Sequence, residues 1–168
     1  MTSIGRGFAY PLRIRNCQPG DIGYMARLHA AVYIKEYGLD PIFEKSTLPG
    51  LLDFLESKRA GNIWVAESGN RIVGFIGIIG RDSETAQLRW FLVDPEFRGM
   101  GLGRRLMTLA MDYCREQGFK HVFLWTFSEL YIARHLYRTF GFSLTEKVPR
   151  DNWKKGLVDE RWDLNIGD

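Results

Sequence analysis

The stretch "EFRGMGLGRRL", Glu96–Leu106, decides how the rest of the chain is read. Gly99, Gly101 and Gly103 alternate with Met100 and Leu102, between Arg98 on one side and Arg104 and Arg105 on the other. The residues before it, Glu84 to Val93, read as a strand ended by Pro95. Those after it carry Leu102, Leu106, Leu109, Ala110 and Tyr113 at helical spacing, which predicts a helix from about Gly101 to Gln117, capped by Gly118. A glycine turn between a strand end and a helix start has two uses. It permits positive φ in a sharp turn. It also lets an anion reach the unpaired N–H groups and positive dipole end of the helix, where Arg98 and Arg104 can add charge-assisted hydrogen bonds. The glycines alone leave a bare turn and a phosphate cradle both open. Their spacing departs from G-x-G-x-x-G, and no acidic ribose partner stands roughly 20 residues on. No Gly-Lys-Ser/Thr follows, which excludes a P-loop.

Outward from the loop, the order of elements narrows the fold. "LRIRNC", Leu12 to Cys17, reads as a first strand. Ile22, Met25, Leu28 and Val32 then recur at helical spacing in a helix from Asp21 to Tyr37, stopped by Gly38. A second helix is expected near Pro49 to Lys58, with Pro49 in its first turn and Leu51, Leu52 and Leu55 on its apolar face. "NIWVAES" and "RIVGFIGIIG" read as strands joined by a hairpin turn at Ser68-Gly69-Asn70. After the loop and its helix, "HVFLWTF" is a near-continuous apolar run, as in a strand buried on both faces. A shorter helix follows, about Glu129 to Phe140, with Thr126 and Glu129 as a capping box. The last two strands are Phe142 to Glu146 and Leu157 to Leu164. In the latter, Val158, Trp162 and Leu164 alternate with Asp159, Arg161 and Asp163. The three-strand meander requires antiparallel pairing, and the strand–helix–strand unit around Gly101 a right-handed crossover to a parallel neighbour. The expected fold is α/β: a mixed, mostly antiparallel sheet of six to seven strands with helices on both faces.

The 168 residues suit one domain, with its core at about 12–164. A net charge of +3 is weak for a nucleic-acid binder, so no nucleic-acid partner is expected. No segment approaches the roughly 20 apolar residues of a membrane span, and the N-terminus lacks a signal-peptide pattern. A cytoplasmic protein with reduced Cys17 and Cys114 and no metal site is the expectation.

"VDPEFRGMGLGRRLM" resembles the pyrophosphate-binding motif Arg/Gln-x-x-Gly-x-Gly/Ala of the Gcn5-related N-acetyltransferases, the GNAT superfamily, with Arg98, Gly101 and Gly103 in its places. Downstream, "ARHLYRTFGF", Ala133 to Phe142, resembles the same family's A-x-x-L-Y-x-x-x-G-F. Two motifs in order are far more specific than either alone. "LRWFLVDPEFRGMGLGRRL", "FLWTFSEL" and "GLVDERWDL" further resemble the acetyltransferase half of bacterial proteins that fuse a MarR-type regulator to a GNAT domain. Only that half is expected here.

The resemblance implies the GNAT fold and an acetyl-CoA-dependent N-acetyltransferase. It would act on a primary amine of a small molecule or peptide, by direct attack in a ternary complex. The backbone of Phe91, Leu92 and Val93 would pair with the pantetheine arm. The amides of Arg98, Gly99, Met100, Gly101, Leu102, Gly103 and Arg104 would hold the pyrophosphate. Tyr137 matches the tyrosine that protonates the leaving thiolate; by periodicity alone it is equally a core residue. Leu130 stands where the family often carries an Asn that bonds the pantetheine. No general base stands out among Glu84, Gln87 and Glu36. The acceptor site would be lined by the first helix, at His29, Tyr33, Glu36 and Tyr37 on one face, with Phe43, Trp90 and Trp125 as an aromatic wall. Dimers are common in the family, and the closing strands offer an edge for a homodimer. A catalytically silent acyl-CoA-binding sensor or interaction module is the competing reading, kept open by Leu130 and the missing base.

Overall fold

A computed structural model describes residues 10–167. Its strands are β1 (Leu12–Asn16), β2 (Gly61–Ser68), β3 (Arg71–Gly80), β4 (Thr85–Val93), β5 (His121–Phe127), β6 (Ser143–Pro149) and β7 (Val158–Asn165). Its helices are α1 (Asp21–Tyr37), α2 (Glu44–Glu56), α3 (Leu102–Glu116) and α4 (Tyr131–Thr139). Single 3-10 turns at Pro41–Phe43 and Pro95–Phe97 lead into α2 and the glycine loop. The strands form one sheet in the order β1-β2-β3-β4-β5-β7-β6. Every neighbouring pair is antiparallel except β4 and β5, which are joined through α3. This is the mixed α/β architecture expected from the sequence.

The sheet separates two cores. On one face Leu102, Leu106, Met107, Ala110 and Met111 of α3 and Tyr137 of α4 pack on Val73, Ile76, Leu88, Leu124 and Trp162. On the other, Met25, Val32 and Tyr33 of α1 and Leu51 of α2 pack on Ile63, Val65, Phe75 and Leu92. β3 is buried from Ile72 to Gly80. Among the described residues no helix is long and apolar enough to cross a membrane.

Several local expectations shift. The 3-10 turn at Pro41–Phe43 runs directly into α2, so this helix begins at Glu44 and holds Pro49 inside it. Only Leu51 of the expected apolar face is buried; Leu52 and Leu55 are 58% and 60% exposed. In α3 the buried stripe takes in Met107, Met111 and Cys114 and leaves Leu109 outside. α4 starts at Tyr131 with Leu130 at its cap, while Thr126 lies within β5 and Glu129 pairs with Lys154 at 2.8 Å, so there is no capping box. β5 is not buried on both faces: Trp125 is 37% exposed, because the α1 and α2 layer stops short of it and leaves a cavity.

Candidate active site

Two departures from regular sheet build the site. The first is a register shift between Phe75 and Gly77 of β3, opposite residues 89–92 of β4. At its centre Trp90 holds φ 51°, a left-handed conformation that is rare for a bulky residue. A bulge of this kind re-aims side chains. Here it turns Arg89 and Trp90 into the same cavity, where regular alternation would put them on opposite faces. Gly77 makes room: a Cβ there would lie 2.7 Å from Trp90 Cε3.

The second departure is a splay. The parallel ladder between β4 and β5 runs from Thr85 opposite His121 only to Leu88 opposite Leu124. Beyond it β4 continues to Val93 with its β5-facing edge open. An open strand edge offers backbone donors and acceptors to an extended ligand with amides of its own. One acceptor is already used, since the Val93 carbonyl receives a 3.1 Å hydrogen bond from Arg98 Nε.

The glycine loop is braced from below. Arg71 pairs with Asp94 at 2.6 Å and with Glu96 at 2.9 Å, while the Asp94 carboxylate accepts from the Glu96 N–H. Gly99 and Gly101 then take φ 78° and 77°. Hydrogen bonding into α3 begins with the Arg105 N–H to the Gly101 carbonyl, which leaves the N–H groups of Leu102, Gly103 and Arg104 free at the positive helix end.

A groove of about 290 Å³ runs along this edge. It is lined by Phe91, Leu92 and Val93, by Arg98, Gly99, Gly101, Leu102, Gly103 and Arg104, and by Ile132, Ala133, His135, Leu136 and Tyr137 of α4. Met100 is 40% exposed and does not line it. The Arg98 guanidinium is held by the Glu36 carboxylate, through Nη1 to Oε1 and through Nη2 to Oε2 at 2.9 Å. Its side chain thus clamps α1 to the loop. Arg104 lies over the Phe140 ring at 5.8 Å. The free backbone amides, more than the arginine side chains, are the groups here that could receive an anion, and their chemistry suits a pyrophosphate.

A second cavity, about 280 Å³, opens on the α1 and α2 side of the splay. Tyr33, Phe91, Leu130 and Tyr137 line both cavities, so the two meet at these side chains. The four α1 residues expected in one pocket are divided. His29 and Tyr33 line this second cavity with Trp90, Tyr37 faces the groove, and Glu36 is engaged by Arg98 outside both. Helical spacing of seven and eight residues spans about two turns, and the groove and cavity lie at different heights along α1. Phe43 and Trp125 also line the second cavity.

Tyr137 is 4% exposed, and burial pushes its phenol far above the usual range, so it is protonated at any working pH. Thr126 opposes that shift only slightly, and its Oγ1 is buried without a hydrogen-bond partner. The candidate bases are occupied elsewhere. Glu84 pairs with Lys120 on the surface, and the Gln87 amide oxygen accepts from Arg81 Nε at 2.8 Å. Among the described residues no group of three His, Cys, Asp or Glu side chains could hold a metal ion.

The sequence reading missed Asp159. In the sequence it is one of the polar residues alternating with Val158, Trp162 and Leu164, but β7 lies inside the sheet between β5 and β6. Asp159 and Glu160 are both buried. Glu160 pairs with Arg134 at 2.8 Å on the α4 side, and Asp159 lines the second cavity on the other.

His29 stacks on Phe43 with centroids 5.5 Å apart and is buried. Burial, and then the nearby Arg89 charge, push its pKa from 6.5 down to about 3. It is neutral in the folded protein. Because the folded pKa lies below the unfolded one, its contribution to stability is complete above pH ~6.5 and is lost as pH falls toward 3. Unfolding free energy should drop by roughly 2 kcal/mol between pH 8 and pH 5, measured by urea denaturation. His29→Asn should flatten that part of the profile; a wild-type profile already flat there would contradict it.

The family model described as "Acetyltransferase (GNAT) family" matches residues 25–142. "N-acetyltransferase 8" of Homo sapiens is 34% identical over 94 residues, 53% of this chain and 41% of that protein. "Uncharacterized N-acetyltransferase YjgM" of Escherichia coli K12 is 38% identical over 82 residues, 47% of this chain and 49% of that protein. The chain thus spans less than half the length of either curated relative. A GNAT-family acetyltransferase of Staphylococcus aureus Mu50 superposes with TM-score 0.78 at 20% identity, covering 93% of this chain and 99% of that one. The structure of yncA from Salmonella typhimurium, a putative acetyltransferase described with its cofactor acetyl-CoA, superposes with TM-score 0.70 at 18% identity, covering 94% and 95%. At these identities the structural likeness concerns the fold.

Proposed function

Because the chain belongs to the acetyltransferase (GNAT) family, we propose that it moves the acetyl group of acetyl-CoA to a primary amine of a small molecule or peptide, by direct attack in a ternary complex. The observation that carries this reading is the meeting of two cavities at Tyr137, one ending on free helix amides and the other lined by aromatic and charged side chains. Such a junction brings a donor and an acceptor together and spares the reaction the entropy of a bimolecular encounter.

Acetyl-CoA, when bound, supplies an activated thioester carbonyl: the acceptor nitrogen bonds to its carbon, the carbon–sulfur bond breaks and a thiolate leaves. In this reading the Leu102, Gly103 and Arg104 amides bind the pyrophosphate, and the open edge of β4 orients the pantetheine. Leu130 adds an apolar wall at the junction in place of a hydrogen bond. Tyr137 gives its hydroxyl proton to the departing sulfur. A buried phenolate is costly, so that proton is replaced as it leaves by one shed from the acceptor nitrogen. The likeness to the acetyltransferase half of MarR–GNAT fusions, and a homodimer formed through the outer edge of β6, belong to the same proposal.

Thiol release from acetyl-CoA, measured against a library of primary amines, tests it. Amine-dependent release is the expected result. CoA binding by calorimetry without release for any amine would replace the enzyme by a silent acyl-CoA-binding module.

A further inference from the structure

The second cavity concentrates unsatisfied polar chemistry. Among the described residues, five buried side-chain atoms lack a hydrogen-bond partner. Four of them, His29 Nδ1, Trp90 Nε1, Thr126 Oγ1 and Asp159 Oδ1, belong to residues lining this one cavity. The fifth, Arg134 Nε, at least lies against Glu160 at 2.8 Å. An unpaired buried polar group costs about 1–3 kcal/mol, so a cluster of them around a cavity marks groups kept for a ligand.

The charges in the same cavity do not balance. Asp159 is 6% exposed; its Oδ2 accepts from Arg150 Nε at 2.7 Å and its Oδ1 is free. Arg89, brought in by the bulge at Trp90, has no carboxylate or hydrogen-bond acceptor among the described residues. Its guanidinium lies 4.9 Å from the Trp90 ring centre, and Asp53 acts on it only from a distance. His29 is neutral. Two arginines thus face one carboxylate, and a plain ammonium entering the cavity would add a third positive charge. An acceptor that also carries a carboxylate would give Arg89 the fork-shaped partner it lacks.

We propose that the acceptor is a zwitterion of the amino-acid class, its ammonium received by Asp159 Oδ1 and its carboxylate by Arg89. Phe43, Trp90, Phe127 and Trp153 form apolar walls for its side chain. The assignment rests on the acetyl-transfer reading above and names the substrate class of that site. It disfavours a peptide N-terminus, in which the neighbouring carboxylate has become an amide.

The test is calorimetric titration of the full chain, saturated with CoA, with each of the twenty standard amino acids. The best binder is then compared with its amide, its decarboxylated amine and its deaminated acid. At least one amino acid should bind, and each truncated analogue should bind roughly 10–100-fold more weakly. Arg89→Met should erase the preference for the amino acid over its amide and amine without lowering Tm, because Arg89 is only partly buried and its removal leaves no carboxylate without its partner; a merely structural arginine would lower Tm and leave the preference intact. Asp159→Asn should weaken the amino acid and the amine but spare the deaminated acid. Failure of every amino acid to bind, or equal binding of the amide and amine, overturns the proposal. Thiol release on the same panel separates the two readings. Release with plain amines but not with amino acids removes the zwitterion and keeps acetyl transfer. Amino-acid binding without release supports the cavity assignment and counts against transfer.

Discussion

Tyr137→Phe is expected to lower kcat for acetyl transfer by roughly 10²–10⁴-fold, the usual contribution of a positioned general acid. CoA affinity should stay within about threefold and Tm within a few degrees. The substitution removes one oxygen and keeps the ring, whose neighbours Phe91, Phe142 and Trp162 lie with centroids 6.1, 6.1 and 6.4 Å away. The hydroxyl contributes little packing, and Thr126 Oγ1 is not hydrogen-bonded to it. A tyrosine that served only the core would show the opposite pattern, with stability disturbed and turnover retained. Steady-state kinetics, calorimetry with CoA and thermal melting on one preparation separate the two, and wild-type turnover in the variant would remove Tyr137 from the chemistry.

Gly101→Asp should raise the Kd for CoA about 100-fold, equivalent to about 2.7 kcal/mol. Gly101 caps α3 at φ 77°, and no other atom lies within 4 Å of where a Cβ would sit. Crowding is therefore not the cause. A carboxylate at this point faces the free amides of the first helical turn and repels the anion they attract. Gly101→Ala is the control. It carries the left-handed backbone strain, about 1–2 kcal/mol of stability, without the charge, and should change CoA affinity far less. Unchanged affinity in Gly101→Asp would mean that the loop does not hold the pyrophosphate.

The glycine loop was legible because its geometry is local. Strand end, turn and helix start are neighbours in sequence, and positive φ at Gly99 and Gly101 is a property that glycine advertises. The hairpin at Gly69, the cap at Gly118 and the extent of α1 were legible for the same reason. Arg98 shows the limit. Its charge beside the loop suggested a phosphate ligand, yet Glu36, 62 residues earlier, takes its guanidinium. Pro49 and Thr126 show it again: each fits a helix-start pattern, but neighbouring elements draw one into a helix interior and the other into a strand.

Local chemistry and periodicity in the amino-acid sequence by themselves determined the order of elements, the antiparallel meander, the parallel crossover and the glycine turn at the start of α3. They could not determine what the second cavity contains. Asp159 reads as one more polar residue in an alternating strand until β7 is inserted between β5 and β6. Arg89 and Trp90 alternate until the bulge opposite Gly77 turns both to one side. Burial, charge balance and the loss of hydrogen-bond partners arise only when segments distant in sequence exclude water together. For that reason the glycine loop was readable along the chain, and the contents of the second cavity emerged only from its packing.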